Sequence, residues 1–71
     1  MDNFSGEALL RKFLVGTTMS VYVTDKGQSF ENREGAVLHQ KVVKDVIHNM
    51  DWDGSWYDIF FEDGSVCWIT Q

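Results

Sequence analysis

The sequence predicts an α+β fold: a small antiparallel sheet of about four strands in two hairpins, packed against a main helix and preceded by a short N-terminal helix. Three observations predict it. Residues 17–24, "TTMSVYVT", alternate apolar and polar positions as a half-buried strand does. At 100° per residue, Ala36, Val42, Val43, Val46, Ile47 and Met50 of residues 32–50 cover one half of a helical wheel. Asp63-Gly64 separates two strand-like runs, a strong hairpin signal. The element order is then α-β-β-α-β-β, in a single compact domain over residues 1–71.

Each element has a local reason. In residues 5–15, "SGEALLRKFLV", Ser5 is placed to cap a helix and Phe4 to staple against Leu9. Leu9, Leu10, Phe13 and Leu14 make its apolar stripe, and Gly16 is a natural stop. The strand 17–24 turns Met19, Val21 and Val23 to one side. A three-residue turn with Gly27 in the left-handed region then leads back through "QSF" as a short second strand. Asn32 is placed to cap the main helix. Gly35 weakens its first turn by up to ~1 kcal/mol relative to alanine, which asks for a packing reason. Residues 56–62 and 65–70 form the last hairpin. A two-residue Asp63-Gly64 turn sets Phe61 opposite Val66, Ile59 opposite Trp68 and Tyr57 opposite Thr70 on an apolar face. Trp56, Asp58, Phe60, Glu62, Ser65, Cys67 and Ile69 fall on a mixed opposite face.

Composition narrows the function. With 71 residues, the chain buries only about 60% of its unfolded surface, so its core is small. An apolar content of 44% is too high for a disordered chain. The single cysteine, Cys67, can form no intrachain disulfide, which fits a reducing compartment. Arg11 and Lys12 interrupt the run a secretory signal would need, and no apolar run approaches the ~18 residues of a membrane span. The expected location is the cytoplasm, its own or that of a host cell.

The densest chemistry lies in "DWDGSWYDIFFEDGSVCW", residues 51–68, with five acids and six aromatics in eighteen positions. Asp51, Asp53, Ser55 and Glu62 match positions one, three, five and twelve of a calcium loop. Trp56, however, stands where that loop needs its turn glycine. Asp58 and Glu62 share a strand face without the cleft that paired-carboxylate catalysis requires. Cys67 reads as a small hydrophobe, His39 as a satisfied, partly buried side chain and His48 as a solvated one. The six glycines never cluster as a phosphate loop does. No catalytic residue, metal site or cofactor is therefore expected.

The charge is one-sided. Residues 1–44 hold six bases and five acids, whereas residues 45–71 hold six acids and no base. Such a balance disfavours direct nucleic-acid binding and favours a partner with a basic surface. The same third holds Trp52, Trp56 and Trp68. Large aromatics are the side chains on which interfaces rely most. A plainer alternative stays open: the acids keep the chain soluble and the tryptophans close the end of a small core.

The segment "YVTDKGQSFENREGAVLHQKVVKDV", residues 22–46, resembles the hairpin-into-helix segments of many small phage and bacterial proteins. The resemblance implies a compact accessory protein. By analogy, small acidic phage proteins bind and block host enzymes, some by imitating DNA charge. The expectation is thus a non-enzymatic inhibitor or modulator of a basic, nucleic-acid-handling host protein such as a nuclease or polymerase, with no membrane partner. Asp51, Asp53, Asp58, Glu62 and Asp63 would steer, and Trp52, Trp56 and Phe60 would anchor. The alternative is a homo-oligomer, such as a homodimer, joined through the mixed hairpin face.

Overall fold

A computed structural model of the chain describes residues 6–70. One helix, α1 (Gly6–Leu14), precedes five strands: β1 (Thr18–Thr24), β2 (Gly27–Ser29), β3 (Val37–Asp51), β4 (Gly54–Phe61) and β5 (Val66–Thr70). They form one antiparallel sheet in the order β2-β1-β3-β4-β5, curled until β2 and β5 approach each other. The fold is therefore a nearly closed, barrel-like sheet with one short helix, and the expected α+β sheet packed on a main helix is corrected. Ser5 and Phe4, expected to cap and staple α1, lie outside the described residues. No helix among the described residues is long and apolar enough to cross a membrane.

The main correction is β3. Residues 32–36 are turn and irregular chain, and residues 37–51 are one long strand. This also overturns the hairpin-into-helix resemblance. Two causes explain it. The segment is rich in β-branched residues (Val37, Val42, Val43, Val46, Ile47), which fit a pleated surface better than a helix. It also contains a bulge. Val43 pairs with Phe61 and Asp45 with Phe60, so Lys44 is an extra residue. Inward positions consequently run Lys41, Val43, Val46, His48, with a step of three at the bulge. Val43 and Val46, three apart across the bulge, share the inward face, whereas Val42 and Ile47 lie on the other; the apolar pairs 42–43 and 46–47, four apart, gave the wheel over 32–50 its stripe. Gly35, expected to have a packing reason, instead has a φ of +81° with open space around its Cα, a turn residue before β3.

The bulge separates two halves of β3. Residues 37–42 pair with β1 and residues 43–51 pair with β4. Beyond Val42, β1 no longer covers the edge of β3, and α1 lies there instead. Side chains of α1 then serve backbone groups that a strand would have served. The Glu7 carboxylate accepts from the His48 backbone N–H, and Arg11 Nη2 donates to the Val46 carbonyl at 3.1 Å. Arg11 Nε also donates to Asp45 Oδ1 at 3.0 Å. Gly16, at φ +88°, ends α1 as expected, and its N–H donates to the Val43 carbonyl.

Val21, Val43, Val46, Tyr57, Ile59, Phe61 and Cys67 form the core, with Leu10, Leu14, Met19, Val23, Phe30 and Ile69 packed against it. Met19, Val21 and Val23 face inward, as the alternation predicts. The seam between β2 and β5 is held by side chains. Gln28 Nε2 donates to the Val66 carbonyl, while Gln28 Oε1 accepts from Lys41 Nζ at 2.9 Å. The Lys41 ammonium also reaches Ser65 Oγ at 2.9 Å and Asp63 Oδ2 at 3.0 Å, and it lies over the Phe61 ring. One mostly buried cation thus ties β2, β3 and the β4–β5 loop together.

Candidate functional site

The site residues are positioned by two turns. At the β3–β4 turn, Asp51 pairs with Gly54, and Asp51 Oδ1 accepts from the Asp53 N–H at 2.8 Å. This turn, closed by its own aspartate, leaves Trp52 95% exposed. At the β4–β5 loop, Phe61 and Ser65 flank Glu62, Asp63 and Gly64. The Phe61 N–H donates to the Ser65 carbonyl, and the Gly64 N–H donates to the Phe61 carbonyl. Gly64 has a φ of +91°, the left-handed residue that a three-residue hairpin loop needs.

That third loop residue corrects the register expected for the last hairpin. Ile59 pairs with Cys67, Tyr57 with Ile69, and Asp58 with Trp68. A slip of one residue turns every side chain of a strand to the other face. Cys67, expected on the mixed face, is buried at 2% exposure, and Trp68, expected in the core, is 63% exposed. Ile69 likewise turns inward, while Val66 and Thr70 turn outward. Burial pushes the Cys67 thiol above its ordinary range.

The outer face of β3, β4 and β5 then reads in three cross-strand rows. Asn49, Trp56 and Thr70 form one, Ile47, Asp58 and Trp68 the next, and Asp45, Phe60 and Val66 the third. A cleft of about 340 Å³ is lined by Trp56, Trp68 and Thr70. Asp58 is not one of its lining residues but lies opposite Trp68 and two residues from Trp56 on the same face. Asn49 Nδ2 donates to Asp58 Oδ2 and fixes the carboxylate. Sequence reasoning missed Trp68 and Thr70 as site residues. The Asp63-Gly64 pair signals both two- and three-residue loops, so the sequence carried no way to choose between them.

The eight expected residues do not form one cluster. Asp51, Trp52 and Asp53 occupy one end of β4, and Glu62 and Asp63 the other, on the order of 30 Å apart by strand rise. Trp56, Asp58 and Phe60 lie between them on the outer face. Several acids also have work inside the fold. Asp63 accepts from the Ser65 hydroxyl and N–H and pairs with Lys41, which holds its carboxyl down at about 2. Asp45 is lowered chiefly by the Val46 N–H it accepts, with Arg11 adding to it.

Neither histidine sits as expected. His39 is exposed on β3 opposite Val21. His48 stacks on Tyr57 with ring centroids 4.8 Å apart and its Nε2 buried. Among the described residues, no three His, Cys, Asp or Glu side chains converge as metal ligands do. A second, larger groove of about 670 Å³ follows the seam between β2 and β5, where Lys26, Phe30, Arg33 and Ile69 are among its lining residues. Glu31 pairs with Arg33 at 3.6 Å.

Comparison with known proteins finds no matching family, no matching curated protein and no matching solved structure.

Proposed function

We propose that the protein is a non-enzymatic protein-binding module, an inhibitor or modulator that engages a basic, nucleic-acid-handling partner through the outer face of β3, β4 and β5. The observation that carries this reading is exposed Trp68 next to partly buried Trp56, with Asp58 opposite Trp68, in a segment, residues 45–71, that holds no base. Exposed tryptophan is costly to leave in water and is the side chain that interfaces use most effectively. Asp51 and Asp53 at one end, and Glu62 at the other, supply the field that draws a basic surface in. Because these acids flank the aromatic face without forming a row, anchoring by side chains is favoured over imitation of a DNA phosphate track.

Homo-oligomerisation through the same face is the second reading, supported by exposed Trp68, Val66 and Ile47. A two-fold self-pairing would, however, bring two acidic faces together, each with Asp58 near its centre. Light scattering at two concentrations separates the readings. The binding test uses purified basic nucleases and polymerases at low and high salt, with the Asp51→Asn/Asp53→Asn double variant and Trp56→Ala. Salt-sensitive binding weakened by both variants supports the proposal. Unchanged affinity in both sinks the assignment of this face.

A further inference from the structure

We infer that the cleft between Trp56 and Trp68 is a cation site that takes one arginine or lysine side chain of a partner, with Asp58 as its counter-ion. The inference rests on the function proposed above and names the group that is recognised. Three features on one patch support it. Trp56 and Trp68 are diagonal neighbours on adjacent strands, in rows one step apart, so both indoles border one cleft. Indole faces carry negative electrostatic character and attract ammonium and guanidinium groups within about 6 Å. The third feature is Asp58, directly opposite Trp68 and held by Asn49 Nδ2 at one oxygen. A carboxylate has a second oxygen, and a guanidinium or ammonium can donate to it while lying on the rings.

The surroundings decide the sign of the ligand. The cleft walls are two indoles and the Thr70 side chain, so an anion would meet no donor of positive charge there. Lys26 and Arg33 line the adjoining seam groove, which shares Trp68 and Thr70 with the cleft, and Glu31 there engages Arg33. The other charged residue on the outer rows is Asp45, already engaged by Arg11. An uncharged apolar side chain would fill the cleft but give Asp58, opposite Trp68, no countercharge. A cation satisfies both the rings and the carboxylate.

The test is a titration of the ¹⁵N-labelled protein with a capped hexa-arginine peptide, following the indole N–H signals of Trp52, Trp56 and Trp68. The citrulline peptide, which keeps the shape and removes the charge, is titrated in parallel. The expected result is a saturable shift at Trp56 and Trp68, with Trp52 nearly still and the citrulline peptide inert. Asp58→Asn keeps an acceptor for Asn49 and is expected to weaken the arginine peptide about tenfold. Trp68→Leu, at an exposed position, is expected to remove the Trp56 shift while leaving the melting temperature in place. The inference is overturned if Trp52 shifts as much as the pair, if the citrulline peptide binds equally, or if Asp58→Asn binds unchanged. Loss of binding only in the Asp51→Asn/Asp53→Asn variant would also overturn the cleft, while leaving the acidic-surface reading intact.

Discussion

The two faces of the β4–β5 hairpin make an instructive pair. The inner face offers Tyr57, Ile59, Phe61, Cys67 and Ile69 to the core. The outer face presents Trp56, Asp58, Phe60, Val66, Trp68 and Thr70. Both are rich in aromatic and aliphatic groups, so hydrophobicity alone does not say which is the inside. Loop length says it. Three residues between Phe61 and Ser65 hand Cys67 to the core and Trp68 to the surface. The lesson is that the larger apolar side chain can be the one left out, and that a strand with two apolar faces has one available for other use.

The contrast can be broken hardest from the inside. Ile59 is fully buried at the centre of the core. Ile59→Ala is expected to cost about 4 kcal/mol, enough to unfold much of a domain this small, measured by urea unfolding followed by circular dichroism. Next comes the clasp that closes the seam. Lys41→Met keeps the side chain's length but strands Asp63, Gln28 and Ser65, and a loss of about 2 kcal/mol is expected in the same assay.

The same clasp sets an acid response. The Asp63 carboxyl sits at about 2, below its ordinary 3.8, held first by its bonds to Ser65 and then by Lys41. A depressed carboxyl stabilises the fold above its unfolded value and loses that contribution as pH falls through its folded one. The wild-type protein is therefore expected to lose stability between about pH 4 and pH 2. Asp63→Asn should lose less over that interval, which melting curves at stepped pH will show. A smaller effect comes from the loop itself. Gly64→Ala places a Cβ at φ +91°, at a cost of about 1 kcal/mol. The smallest effects belong to the outer face. Trp68→Ser is expected to leave stability within about 0.5 kcal/mol while weakening binding.

Much of the first third was legible in the sequence. The helix ending before Gly16, the inward Met19, Val21 and Val23, and the return through Gly27 all follow from rules that act within a few residues. What failed was decided by single inserted residues. Lys44, as a bulge, set Val43 and Val46 three apart on one face, and with Val42 and Ile47 on the other the strand read as a helix. The third loop residue turned β5 over. Neither insertion leaves a signal in composition, because each is settled by which partner strand lies opposite. The candidate site was half legible for the same reason. Trp56, Asp58 and Phe60 keep their places on the outer face because β4 is read from its own alternation. Trp68 and Thr70 join them only once the register of β5 is known.

Because that register puts Trp68 and Thr70 on the outer face, the most direct test is the reactivity of the Cys67 thiol toward a coloured disulfide reagent. In the native protein Cys67 faces the core beside Ile59, and reaction should be slow, limited by opening of the fold, and fast only in urea. Rapid reaction of the folded protein would place Cys67 outside and Trp68 inside. That result would contradict the register and remove the tryptophan cleft with it.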